Sequence, residues 1–117
     1  MIVLMTSDLM MASTANSHAR QQGVKLVQAN SIDSAIEVIR DQRPQLLLVD
    51  LQMSGLDIPN LGEEVSQLPD SVAPLTIAYA QHVEVGMLEQ AREAGFDQVL
   101  TRGQVNAQMG NLVAGVK

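Results

Sequence analysis

A doubly wound α/β fold, with five parallel strands alternating with five helices, is what this sequence predicts. Three observations carry that expectation. Short apolar runs alternate with helical stripes along the chain. The run Leu46-Leu47-Leu48-Val49, opened by Pro44, ends abruptly in Asp50. A continuous apolar run of strand length reads as a central strand buried on both faces. Helix-stopping glycines and strand-opening prolines, Gly23, Pro44, Pro74 and Gly95, fall at the changes of period.

Met1 to Met5 reads as the first buried strand. Asp8 then caps a helix reaching Gln22, with the mostly small residues Met11, Ala15 and Ala19 on its inner face and Gly23 stopping it. Val24 to Ala29 is a second strand, more alternating and so nearer an edge. Ile32, Ala35, Ile36 and Ile39 fall at helical spacing, begun by Asn30 or Ser31 and halted before Pro44. After the Asp50 strand, Asp57 or Ile58 caps a helix with Pro59 in its first turn and Leu61, Val65 and Leu68 on one face. Pro74 opens a fourth strand through Tyr79. Met87, Ala91 and Ala94 mark a fourth helix ended by Gly95, Gln98 to Thr101 a fifth strand, and Val105, Met109, Leu112 and Val116 a last helix running to the chain end. With right-handed crossovers, (βα)5 most economically closes into a sheet of order 2-1-3-4-5. The ends of the first and third strands then meet at the topological switch point, where open α/β sheets place their chemistry.

Composition narrows the function. The expectation is one domain over residues 1–117, long enough to bury a core without staples. Cysteine is absent, which removes thiolate catalysis, disulfides and Cys-based zinc sites. Hydrophobic residues make up 46 % of the chain, yet no apolar stretch approaches the roughly 18 residues that span a bilayer, and no signal-peptide pattern is visible. A cytoplasmic protein with no membrane association is expected. A net charge of -6 with only seven Lys and Arg disfavours a nucleic-acid surface, and one Tyr and one Phe give no stacking platform. A protein partner or a small cation suits such a chain better, and the seven methionines read as core fillers.

The stretch Asp50-Leu51-Gln52-Met53-Ser54-Gly55-Leu56-Asp57 resembles the phosphoacceptor strand and loop of response-regulator receiver domains. Asp50, Met53, Gly55 and Asp57 match that pattern, whereas Ser54 and Ile58 depart from it. Gly95-Phe96-Asp97-Gln98-Val99-Leu100-Thr101-Arg102-Gly103 is similar to the family's Gly-Ala-x-x-Tyr-Leu-x-Lys-Pro, and the resemblance covers essentially the whole chain. It implies a flavodoxin-like fold, a phosphorelay role in two-component signal transduction and a site of five residues around bound magnesium.

Carried over residue by residue, the resemblance makes Asp50 the candidate phosphoacceptor. It puts Ser7 and Asp8 where the family has an acidic pair, Ala80 (or Tyr79, counting from Pro74) where it has a Ser or Thr, and Arg102 where it has Lys. Val99 stands where the switch aromatic sits, and Gly103 where a Pro follows, so a trans Arg102-Gly103 bond is expected. The halved acidic pair, the missing hydroxyl and the aliphatic at the aromatic position together imply a degenerate or pseudo-receiver. Asp8, Asp50 and the carbonyl of Gln52 then bind magnesium weakly or not at all. Arg102, a planar and permanently charged fork, either bridges Asp50 and Asp8 in place of the metal or points to solvent. Asp8 reads equally as a helix cap, and Asp50 also as a satisfied turn residue. His18 and His82 read as solvated surface residues.

The reading is a single-domain, receiver-like signalling protein that is not an enzyme. It acts by binding a sensor kinase or downstream target, without obligatory phosphorylation, and a homodimer is left open. One alternative is a single-domain response regulator phosphorylated at Asp50 by a sensor histidine kinase. Another is a small doubly wound enzyme or nucleotide-binding module, against which the missing phosphate loop counts.

Overall fold

The structure is a computed structural model and describes residues 1–116. Its elements follow in chain order as β1 (Ile2–Met5), α1 (Leu9–Gln22), β2 (Leu26–Ala29), α2 (Ile32–Gln42), β3 (Leu46–Asp50), α3 (Ile58–Ser66), β4 (Leu75–Ala80), α4 (Val85–Glu93), β5 (Gln98–Thr101) and α5 (Arg102–Ala114). All strand pairs are parallel, and the sheet order is β2-β1-β3-β4-β5. The fold is the flavodoxin-like one expected. No helix of the described residues is long and apolar enough to cross a membrane.

Because successive strand residues face opposite sides, the continuous apolar runs feed two cores. Ile2 and Leu4 of β1 with Leu46 and Leu48 of β3 face α1 and α5. Val3, Met5, Leu47 and Val49 face α2, α3 and α4. The Ala face of α1, with Ala12, Ala15 and Ala19 buried, lets this helix lie close to the sheet. α3 comes close to the end of α4, where a Cβ on Gly62 would stand 2.7 Å from both Cβ and O of Ala94.

Element starts follow the local chemistry. Asp8 accepts from the amides of Met10 and Met11, Ser31 from Ser34 and Asp57 from Asn60, so Ser31 and Asp57 rather than Asn30 and Ile58 are the caps. Gly23 closes α1 at φ +68°, a left-handed position that costs a glycine little.

β2 starts at Leu26 rather than Val24, and other differences from expectation have simple causes. β4 continues to Ala80, since Ala80 still pairs with Thr101. α3 ends at Ser66, and Leu68 reaches the core from the turn beyond it. Val113 rather than Leu112 is the innermost residue late in α5, and the helix ends at Ala114. Methionines 5, 11, 53 and 109 fill the core as expected, but Met10 is 80 % exposed beside Leu9 at 81 %.

Candidate functional site

Asp50 is the last residue of β3 and is only 4 % exposed. A carboxylate taken this far out of water needs a partner for each oxygen. Its Oδ1 accepts the backbone N–H of Gln52 at 2.9 Å, and its Oδ2 accepts the hydroxyl of Thr6 at 2.8 Å. Thr6 follows β1 directly and is fully buried. Its own oxygen accepts the Asp8 amide at 3.0 Å, and its carbonyl accepts Nε2 of Gln28 at 2.8 Å. The Gln52 side chain reaches the next loop, its Oε1 accepting the Gln81 amide at 2.9 Å.

Asp8 serves both roles the sequence left open. Its Oδ1 caps α1, while its Oδ2 accepts the guanidinium of Arg102 in an ion pair whose side chains are 26 % and 29 % exposed. Arg102 reaches it because α5 begins on the residue after β5, with no intervening loop. Thr101 and Gln104 form a reciprocal capping box that fixes this start. No cis peptide occurs among the described residues, so the Arg102-Gly103 bond is trans. The expected bridge from Arg102 to both acids is formed on one side only. Among the described residues Asp50 makes no ion pair, and Thr6 links it to the Asp8 backbone instead.

Ser7 is exposed, whereas Ala80 ends β4 fully buried and Val99 is half-buried on β5. Tyr79 is the register partner of Asp50 across β3 and β4 and is fully buried on the α1 and α5 side. Its Oη meets no hydrogen-bond geometry with any described residue. Burial pushes its phenol pKa above the ordinary range, the Asp50 carboxylate adds to this, and the nearby Thr6 hydroxyl pulls the other way. His82 is exposed. His18, expected in solvent, is half-buried against Gly110 of α5, where the missing side chain leaves room for the imidazole.

The candidate metal ligands are Asp8, Asp50 and the carbonyl of Gln52. Magnesium takes one or two carboxylates in near-octahedral geometry and keeps several waters. Here both oxygens of both acids already accept protein donors. No group of three or more His, Cys, Asp or Glu is gathered as a ligand set among the described residues. As placed, these hydrogen bonds and the Arg102 ion pair compete with the ion for both acids.

Sequence reasoning missed Thr6, although a signal existed. Strand alternation puts Thr6 on the same face as Leu4, and Asp50 on the same face as Leu48, and Leu4 and Leu48 are register partners.

The doubly wound sheet thus collects a buried carboxylate, a cation and a loop network at its switch point. Residues 2–114 match the family described as the response regulator receiver domain. The chain belongs to that family, the signalling module of two-component systems. Solved structures share the fold at low identity. The receiver domain of the sensor histidine kinase PA1611 from Pseudomonas aeruginosa PAO1, which has magnesium in its active-site cleft, superposes with a TM-score of 0.79 at 17 % identity, covering 98 % of this chain and 94 % of that one. The signal receiver domain from Bermanella marisrubri gives 0.77 at 20 %, covering 98 % and 95 %. That of NtrX from Brucella abortus gives 0.77 at 19 %, also covering 98 % and 95 %. No curated protein sequence matches the chain.

Proposed function

We propose that residues 1–117 act as one receiver-like domain in the cytoplasm that signals by binding another protein, without obligatory phosphorylation of Asp50. The observation that carries this reading is the ion pair between Arg102 and Asp8. A guanidinium lodged on the one acid left of the pair supplies the positive charge that a divalent ion otherwise supplies, and it is part of the chain. Asp50, Ser7, Asp8, Ala80 and Arg102 then form the degenerate counterpart of the family's site, and Val99 that of its switch residue. Ala80 offers no hydroxyl to a phosphoryl group and Val99 no ring to rotate, so a phosphate signal has no relay to move. The exposed pair Leu9 and Met10, beside Asp8 at the start of α1, offers a protein partner an apolar contact. That partner is a sensor kinase, a downstream target or a second copy of the chain.

Incubation with acetyl phosphate and magnesium, read by intact mass, tests the reading. Phosphorylation forms a bond from an Asp50 oxygen to phosphorus and releases acetate. The expected result is no stable mass increase, with partner binding unchanged in Asp50→Asn. Stable labelling that Asp50→Asn abolishes supports the second reading, a response regulator phosphorylated at Asp50 by a sensor histidine kinase with weakly held magnesium. The seat of Asp50 at the end of β3, and the magnesium in the PA1611 receiver domain, are the observations in its favour.

A further inference from the structure

We infer that Thr6 is a positioning residue that holds Asp50 closed to cations and phosphoryl donors, and that it does so independently of Arg102. The inference rests on the reading above and adds a second lock to it.

Arg102 accounts for only one of the four carboxylate oxygens at the site, Oδ2 of Asp8. Removing Arg102 therefore leaves Asp50 as it is, with Oδ2 on the Thr6 hydroxyl and Oδ1 on the Gln52 amide. The Thr6 hydroxyl is not free to turn away. It is fully buried, its oxygen is fixed by the Asp8 amide at 3.0 Å, and its single proton has Asp50 Oδ2 at 2.8 Å as its acceptor. The chain behind it is pinned as well, because Gln28 on the edge strand β2 holds the Thr6 carbonyl. The Tyr79 Oη lies near the Thr6 hydroxyl, close enough to act on the phenol's pKa, but among the described residues it meets no hydrogen-bond geometry, and Asp50 keeps the Thr6 proton.

A charge-assisted hydrogen bond from a preorganised donor competes directly with any cation or electrophile approaching that oxygen. Valine has nearly the shape of threonine and lacks the donor. Thr6→Val therefore frees Oδ2 of Asp50 with little change in packing, and Thr6→Ser restores the donor.

The test is a magnesium titration of the full chain, following the backbone amide shifts of Leu51 and Gln52, in wild type, Arg102→Ala, Thr6→Val, Thr6→Ser and the two doubles with Arg102→Ala. Thr6→Val/Arg102→Ala is expected to bind magnesium at least about tenfold more tightly than Arg102→Ala alone, the fold-change that freeing a charge-assisted hydrogen bond provides. Thr6→Ser/Arg102→Ala is expected to match Arg102→Ala. Equal affinity in Arg102→Ala and the valine double mutant overturns the role of Thr6 while leaving the pseudo-receiver reading intact. Saturable binding and stable acetyl-phosphate labelling in the wild type overturn that reading itself. Should the valine variants fail to fold, the wild-type hydroxyl proton decides. A slowly exchanging Thr6 hydroxyl resonance that survives Arg102→Ala supports the lock, and its absence from the wild type refutes it.

Discussion

Tyr79 is the only tyrosine of the chain, which has no tryptophan, so near-ultraviolet absorbance reports this one buried phenol. Its hydroxyl has no partner among the described residues, and an unsatisfied buried hydroxyl costs about 1–3 kcal/mol. Tyr79→Phe removes that cost together with the few contacts of one oxygen atom. At neutral pH it is therefore expected to be neutral or stabilising by about 1 kcal/mol. The larger effect is alkaline. Burial first, and the Asp50 carboxylate second, raise the folded-state pKa of Tyr79, so the folded chain keeps a proton that the unfolded chain loses above a pH of about 10.

Stability is then whole below that pH and falls as pH rises, by about 1.4 kcal/mol per unit, until the folded phenol itself titrates. Against a typical domain stability of about 5–15 kcal/mol, two units remove a large share. With a urea slope of about 1–3 kcal/mol per molar, the unfolding midpoint drops by on the order of 1 M per unit. The assay is urea unfolding from about pH 9 to about pH 12, which brackets the phenol's ordinary range, in wild type and Tyr79→Phe. Their difference isolates this group from the lysines and arginines. Tyrosinate absorbance in the near ultraviolet is expected to rise only together with loss of far-ultraviolet helix signal. Tyrosinate formed at a midpoint near about 10 with helices intact refutes the reasoning. So does a loss of more than about 1 kcal/mol in Tyr79→Phe at neutral pH, since that means the hydroxyl has a partner.

Gly62→Ala puts a methyl group at 2.7 Å from Ala94 Cβ and O. It is expected to cost about 1–3 kcal/mol of overpacking, less up to about 1 kcal/mol of helix propensity, in urea unfolding; Ala94→Gly rescues only part, because the carbonyl stays. Asp97→Ala removes the acceptor for both the amide and the hydroxyl of buried Thr76, at an expected cost of about 1–3 kcal/mol, and amide exchange should speed first at the β4 and β5 edge. Thr101→Ala breaks the capping box and should cost about 0.5–2 kcal/mol. Its diagnostic is a loosened start of α5, seen as side-chain NMR exchange of Arg102 in a helix otherwise intact.

The sheet order and both cores follow from local pattern. The runs Ile2–Met5 and Leu46–Val49 are apolar at every position, so each strand must be covered on both faces. Asp8, Ser31, Asp57 and Gly23 set the helix limits through contacts within three or four residues. The approach of Asp8 and Asp50 to the switch point was legible for the same reason, since topology alone brings strand ends together. Which atoms meet there was not. Thr6 and Asp50 are 44 positions apart, and Arg102 and Asp8 are 94 apart; alternation gives the face that Thr6 and Asp50 occupy, but only the register of β1 on β3 makes them neighbours, and no local period signals the contact of Arg102 with Asp8. The choice by Arg102 of Asp8 alone follows from α5 starting without a loop, and the seat of His18 follows from the space left at Gly110. Sequence periodicity determines which face a residue occupies, because that depends only on backbone repeat. Partners across the sheet mouth are decided by the packed tertiary structure, because each buried donor takes the nearest acceptor that the assembled strands present.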